Sequence, residues 1–543
     1  MSDLRVHQTI PLTRWLLVFT AGVLSVAVFF RHQLGSGLAV LSGDRFDGLI
    51  ETTILEHWYN VFRGRDAWNT TKFFYPLQDS LAYNDGYLVY GMLYSPFRLA
   101  GLDMLASGEL VNICVKAIGF ASFYLLSRIS YSASWTFATL GAVLFTLSCT
   151  SYEQTYHVQL LSVAFAPLLM YLVERHLTSL PNRSRDAALW GCAAAIVLDL
   201  WLLTAFYMAW FTLLLIAVGV LLAVGLRLAR LWRPPAVSPG RLWPTALAGG
   251  VFVVGALPFL GLYLPKAAET GMHPWSETLS FLPGVLDIVN VGPDNLLFGS
   301  ADRALNHAVR PDFPAHGEHT VGLPPVLLIL FALSLPSLHR RGLLLLLTSL
   351  SCLVVWTLAL HVGSATLWHA VYDIVPGAKA VRVVSRLHIL LVAPVILAVI
   401  GYLAVLSRRL PGWLLLALCL LLVLEQIDTA PNAGLDHPGE IGRLLAIPPA
   451  PAGCQVFYAT TTRPGPPLYS EELDGTYSLN VDSMLLAEWI NLPTVNGMAS
   501  FVPPGWSLGG TNRPDYAERV KAYLARNHVE HACALDLRSA TWR

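Results

Sequence analysis

Eleven apolar segments, separated by short loops whose basic residues fall at alternate ends, constrain this chain more than any other feature. The segments run roughly 15–31, 109–128, 133–150, 157–174, 187–203, 205–226, 244–264, 322–338, 343–361, 388–407 and 412–428. A membrane-crossing helix needs about 20 mostly apolar residues, and each segment is near that length. With the N-terminus inside, the inward connections carry Arg128; Arg175, Arg183 and Arg185; Arg227, Arg230, Arg233 and Arg241; Arg340 and Arg341; and Arg408 and Arg409. Short loops rich in Lys and Arg stay cytoplasmic, so all these loops set one orientation. One miscounted span would reverse every loop after it. The expected fold is therefore an α-helical polytopic membrane protein of about 11 transmembrane helices, N-terminus cytoplasmic and tail outside.

Composition agrees: 55% of residues are hydrophobic and 13% charged, against about 25% charged in soluble domains. The formal charge is zero, which gives no electrostatic case for nucleic acid. The first segment follows Arg5 and Arg14 and ends at Phe29-Phe30-Arg31 without a small-residue cleavage site. It reads as a retained signal anchor. Arginine far outnumbers lysine, a pointer to a GC-rich bacterial genome and hence to the inner membrane. Cys114, Cys149, Cys192, Cys352 and Cys419 sit in apolar segments as small core residues. Cys454 and Cys533 lie in the tail, and spacing alone leaves their pairing open.

Outer segments 32–108, 265–321 and 362–387 and the tail 429–543 hold most of the polar chemistry. Residues 86–105 are apolar but broken by Pro96 and Arg98, and counting them as a span would spoil the parity; an outer interfacial or re-entrant segment is expected. Gly48 to Arg63 predicts a surface-lying helix, with Ile50, Ile54, Leu55, Trp58, Val61 and Phe62 on one face and Glu51, Glu56, His57 and Asn60 on the other. The division expected is a transmembrane module, 1–428, with interfacial helices in loop 32–108, and a small extracytoplasmic α/β domain, 429–543. In that domain strands are expected at 454–459 and 531–537, helices at 482–490 and 514–526, and a turn at 493–497.

Just outside the first segment stands Ser42-Gly43-Asp44-Arg45-Phe46-Asp47-Gly48. Two carboxylates three apart could act as a general base and its orienting partner, or hold a divalent metal. The alternative is an Asx-turn with Asp47 capping the next helix. Lys116, Asp199 and Glu425 interrupt apolar segments, and such charges should face protein or a hydrated cavity rather than lipid. Glu153, His157 and Gln159 join two spans, Tyr207 opens another, and Asp85 ends Tyr83-Asn84-Asp85. His316-Gly317-Glu318-His319 matches no zinc spacing and reads as a metal ligand group or a polar loop. Lys379, Arg382 and Arg386 are cations on the outer side; the last two, four apart, would share a helical face suited to an anionic oxygen group or to ordinary ion pairing.

Taken together these positions resemble the GT-C superfamily of integral-membrane glycosyltransferases, particularly bacterial members. The resemblance covers most of the chain and rests on the order of Asp44 and Asp47, Phe74-Tyr75-Pro76, Tyr83-Asn84-Asp85, His157 and Gln159, Pro376-Gly377 through Arg386, and Leu492-Pro493-Thr494-Val495-Asn496-Gly497. It departs from the family in showing G-D-x-x-D rather than adjacent carboxylates. The resemblance implies a polyprenyl-phosphate sugar donor, an acceptor hydroxyl on a glycan, lipid or protein, and inverting transfer at the outer face. It implies Asp44 or Asp47 as base, Asp44 first. Arg382, Arg386 and Lys379 would bind the departing phosphate, with Asp85, Glu153, His157, Gln159, Tyr207, Glu318 and His319 around the substrate. Members differ over metals, so a divalent cation (Mg or Mn) stays open. A lipid-linked-sugar transporter would show inverted repeats and midplane charges, neither of which the sequence displays; a non-catalytic scaffold would leave Asp44 and Asp47 dispensable.

Overall fold

The computed structural model describes residues 12–231, 239–312, 317–340, 342–468 and 470–543. Arg5, Arg233, His316 and Arg341, named above, lie outside the described residues, as does the side chain of Arg340. The chain is mostly helical, with small sheets.

Among the described residues, six helices are long and apolar enough to cross a membrane: Leu12–Phe29, Met104–Ser130, Val158–Ser179, Phe206–Leu228, Trp243–Thr270 and Val384–Leu406. Pro325–Leu338, Leu343–Ala359 and Gly412–Leu424 are apolar but shorter. Trp135–Leu147 and Ser184–Leu202 occupy the two remaining apolar segments. The outer surfaces of these helices are greasy: Phe19, Leu221, Leu228, Val254 and Trp413 are all strongly exposed. Side chains of that kind suit hydrocarbon, not water. The chain is a multi-pass membrane protein. Val384–Leu406 runs through the middle, its residues from Leu387 to Ile400 all buried.

The three intramembrane charges face protein. Lys116 is buried, donates to the Thr146 carbonyl at 3.2 Å and lies 3.8 Å from the Phe29 ring centre. Asp199 packs against Gly255, where a Cβ would collide with its carboxylate. Glu425 accepts from Val326 N and Leu327 N at 3.0 and 2.9 Å, and so satisfies the first turn of the helix Pro325–Ser334.

The helix expected at Gly48 to Arg63 spans Asp47–Phe62, but it does not leave a polar face to water. Glu51, Glu56, His57 and Asn60 are all buried. It is enclosed by the helix Leu88–Leu99, by Met104–Leu125 and by the tail helix Glu471–Ile490. Amphipathic spacing therefore marked two packed faces, one of them polar and enclosed by protein. Residues 86–105 form the 12-residue helix Leu88–Leu99, about 18 Å long and too short to span. Its Tyr94 hydroxyl donates to Glu56, and Arg98 pairs with Glu56 at 2.8 Å.

The tail is bound to the first outer segment along its length. Val40–Ser42 pairs antiparallel with Ala433–Asp436. Phe74 N and Tyr75 N donate to the Asn496 and Thr494 carbonyls at 3.0 Å each, and Thr494 N donates back to Lys72 at 2.8 Å. Val456–Ala459 runs parallel to Ala532–Asp536, which pairs with Thr541–Trp542. Cys454 and Cys533 form a disulfide, Cα atoms 5.8 Å apart. The tail helices are Glu471–Ile490, longer than the expected 482–490, and Tyr516–Arg526.

Candidate active site

The turn carrying Asp44 and Asp47 is set by its glycines. Gly43 has φ +81°, and a Cβ there would meet Gly48 Cα at 2.9 Å. Small residues at both ends let the backbone close on itself. Asp44 is buried, and its Oδ1 accepts from Phe46 N at 2.8 Å. Asp44, rather than Asp47, therefore makes the Asx-turn. Asp47 is the first residue of its helix and caps nothing with its side chain. It is 38% exposed and faces His157.

His157 stands between two carboxylates. Its Nδ1 is 3.0 Å from Asp47 Oδ2 and its Nε2 is 3.2 Å from Glu318 Oε1. Both partners are acceptors, so both ring nitrogens must carry hydrogen, which only an imidazolium does. His157 precedes the span Val158–Ser179. Burial and Arg386 oppose its protonation, but hydrogen bonds to Asp47 and Glu318 carry its pKa up to about 9. Burial alone would raise Asp47 and Glu318; His157 and Arg386 outweigh it, and both carboxyls are held below their ordinary range.

Arg386 grips Glu318 through two nitrogens, Nε to Oε2 at 2.9 Å and NH2 to Oε1, in the planar fork that suits a carboxylate. It also lies over the Tyr207 ring, 5.5 Å from its centre. Asp47, His157, Glu318 and Arg386 thus form one neutral chain of alternating charge. The 3-10 turn Val158–Ala164, the loop before Pro325–Ser334, and the 3-10 turn Val384–Arg386 supply its other members.

Arg382 and Arg386 do not share a helical face. Arg382 lies between two 3-10 turns, Ala378–Ala380 and Val384–Arg386. Pro376, Gly377 and the branched valines around Arg382 disfavour a regular helix there. Arg382 is 41% exposed and reaches Glu277 at 3.4 Å, while Lys379 pairs with Asp373 at 3.2 Å. Arg382 N donates to the Tyr207 hydroxyl at 2.9 Å.

Other expected residues stand around or away from this chain. Asp85 accepts from Phe206 N at 2.9 Å at the start of the helix Phe206–Leu228. Burial raises its carboxyl to about 6, against the pull of that N–H and of Arg386. Gln159 is half-buried in the turn Val158–Ala164. Glu153 lies against Gly292 and Thr320 instead. His319 binds Asp287 at 2.8 Å and the Ser280 carbonyl at 3.0 Å, away from His157. Asp44 and Asp47 do not belong to a three-ligand metal group; among the described residues such a group appears at His57, Asp66 and Glu488. The loop pair, with a cationic His157 beside it, does not fit a resident divalent cation.

Two residues were not singled out from sequence. Tyr477, on the tail helix, packs edge-on against Phe46 with ring centres 5.2 Å apart. Burial raises its hydroxyl to about 12, helped by Asp47 and Asp44 and opposed by Arg382, so it feels both halves of the site. Glu277 is the other, on Arg382. No local pattern marks either one.

No known protein family matches this sequence, and no curated protein matches it. Among solved structures it is similar to the oligosaccharyltransferase of Archaeoglobus fulgidus in the apo form, at 12% identity and TM-score 0.43, over 89% of this chain and 64% of that one. It is also similar to the archaeal oligosaccharyltransferase AglB from Archaeoglobus fulgidus in complex with an inhibitory peptide and a dolichol-phosphate, at 12% identity and TM-score 0.43, over 95% and 69%. The chain thus spans just under two thirds of the length of the first of these. A likeness this distant carries no argument about activity.

Proposed function

We propose that this protein is a GT-C-like glycosyltransferase that moves a sugar from a polyprenyl-phosphate donor to an acceptor hydroxyl at the outer face of a bacterial inner membrane. The observation that carries the reading is the chain Asp47–His157–Glu318–Arg386, a half-exposed carboxylate oriented by an imidazolium at the end of a buried ion network. An eleven-span arrangement with the basic loops inside, the reading the loop charges favour, would set this chain and the tail on the outer side. The Cys454–Cys533 disulfide supports that side, since such bonds persist in oxidising compartments. Residues 1–428 form the transmembrane module and 429–543 an outer domain clasped to loop 32–108.

In this mechanism Asp47 replaces Asp44 as first choice for the base, because Asp44 is committed to its turn. The acceptor hydroxyl donates to Asp47, which takes the proton as the oxygen bonds to the anomeric carbon. The bond from that carbon to the phosphate oxygen breaks, and its electron pair leaves with the lipid phosphate. One displacement inverts the centre. Arg382, 41% exposed, 3.4 Å from Glu277 and lying over the Phe281 ring, receives the phosphate, with Lys379, three residues earlier, as the second cation. Arg386, forked onto Glu318, positions that carboxylate against His157 instead. Fixed cations at the departing charge lower the barrier most in a water-poor site.

The test compares wild type, Asp47→Asn, Asp44→Asn and Arg382→Ala against a panel of polyprenyl-phosphate sugars and acceptor glycans, lipids and peptides, with released lipid phosphate read by mass spectrometry. Turnover lost in Asp47→Asn at an unchanged melting temperature supports the assignment. Turnover indifferent to both aspartates overturns the mechanism. Lipid-sugar binding without turnover across the panel favours a transporter or a scaffold.

A further inference from the structure

A second cluster lies at the far end of the helix Asp47–Phe62, where His57, Asp66 and Lys72 of the first outer segment meet Glu488 of the tail helix. His57 and Glu488 have no exposed side-chain surface, and Asp66 is 10% exposed. His57 Nε2 lies 3.2 Å from the Trp68 carbonyl. A carbonyl only accepts, so Nε2 carries a hydrogen, and in the neutral ring that a metal requires the Nδ1 lone pair points inward. Nδ1 is 3.7 Å from Asp66 Oδ2 and 3.9 Å from Glu488 Oε1. Both distances exceed a hydrogen bond. His57 Nδ1 and Glu488 Oε1 are buried atoms without a hydrogen-bond partner.

His57 Nδ1, Asp66 Oδ2 and Glu488 Oε1 therefore face one another, all within 4.8 Å of one another, and two of the three lack any hydrogen-bond partner. Lys72 already binds Asp66 and Glu488 Oε2, the latter at 3.0 Å, and Asn60 donates to Glu488 Oε2 at 2.9 Å. Lys72 thus already holds Asp66 Oδ2, the oxygen that faces His57, and a metal would have to compete with it there, while Glu488 Oε1 is left without a donor. Two carboxylates against one ammonium leave one negative charge uncompensated in a buried place, which is costly. Ligands about 2.1 Å from a common ion stand roughly 3.4–4.2 Å apart, only slightly closer than these three. An Nε2–H fixed on a backbone carbonyl is also the usual way a metal-bound histidine is oriented.

We propose that His57 Nδ1, Asp66 Oδ2 and Glu488 Oε1 bind one divalent transition-metal ion, zinc by preference for a mixed imidazole and carboxylate set. The ion pins the tail helix Glu471–Ile490 to the first outer segment, with water completing its coordination. The site is separate from Asp44 and Asp47 and does not depend on the function proposed above.

The test uses tag-free full-length protein in detergent, stripped with EDTA and titrated with zinc alone by calorimetry, with metal content and melting temperature read in parallel. Wild type is expected to take one equivalent at micromolar affinity or tighter and to melt higher with zinc than without. His57→Gln and Glu488→Gln are expected to weaken binding at least tenfold and to abolish the zinc-dependent rise in melting. Lys72→Met removes the competing cation and is expected to tighten zinc binding at least tenfold, a gain that misfolding cannot imitate. No binding by wild type up to about 100 µM zinc, roughly a hundredfold above the micromolar affinity expected, overturns the proposal. So does unchanged affinity in His57→Gln, or the absence of any gain in Lys72→Met.

Discussion

The charge on His157 makes a measurable contribution to stability over a defined pH window. An exposed histidine titrates near 6.5 and His157 near about 9. Each pKa unit corresponds to about 1.4 kcal/mol, so the shift is worth about 3 kcal/mol. The same ion pairs hold Asp47 and Glu318 low, so this energy is counted once. Because the folded value is raised, the contribution is complete below pH 6.5, falls as pH rises, and is gone above about 9. His157→Gln removes the titrating group while keeping a hydrogen-bonding side chain. The assay is thermal unfolding of wild type and His157→Gln in the same detergent at half-unit steps from pH 6 to 9.5. The gap between their melting temperatures should shrink with pH by roughly 3–6 °C, given the weak dependence of melting temperature on energy in long chains. Taking the gap cancels every other titrating group. Parallel curves across the range would refute an imidazolium between Asp47 and Glu318.

Other substitutions separate the remaining roles. Asp44→Ala strands Phe46 N and should cost about 1–3 kcal/mol in unfolding experiments, whereas Asp44→Asn keeps an oxygen for that N–H and should cost little. Glu318→Ala leaves Arg386 buried without its carboxylate and should cost about 3–5 kcal/mol, seen as a drop in melting temperature well beyond that of Glu318→Gln. Arg382→Ala should raise the KM for the lipid donor at least tenfold with little change in melting temperature, because a half-exposed side chain gives up one long contact to Glu277 and its place over the Phe281 ring. Gly91→Val should destabilise by about 1–3 kcal/mol, since even a Cβ at Gly91 runs into Trp58; a normal melting temperature would show that these two helices are not packed as described.

Helical regions were legible because apolar length is a strong signal, and each apolar segment contains a helix. Their division into full-length and short helices was not, because Pro324, Pro325 and the turns at Leu335 and Leu360 break segments that composition alone leaves continuous. At the site, chemistry-bearing residues were legible one at a time: Asp47, His157, Glu318 and Arg386 stood out as polar groups beside apolar runs. Their pairing was not, since it joins positions up to 339 residues apart, and the partner of Arg386 decides whether it is free for a phosphate. Spacing misled at Arg382 and Arg386 because a four-residue interval means a shared face only in a helix. It misled again at Glu51, Glu56 and His57, where the polar face meets protein. Tyr477 and Glu277 carried no local mark at all.

The clasp between the first outer segment and the tail has a consequence for biogenesis. Strand Val40–Ser42 waits for Ala433–Asp436, and the Phe74–Tyr75 backbone waits for Thr494 and Asn496. Loop closure over such separations is slow and comes late. During synthesis this first segment is therefore made long before its covering exists, and Tyr477 reaches Phe46 only after the last apolar segment has been made. A chain stopped before residue 433 would hold Asp47 and His157 yet lack the wall behind them, which makes residues 433–543 a timer on when this site is complete.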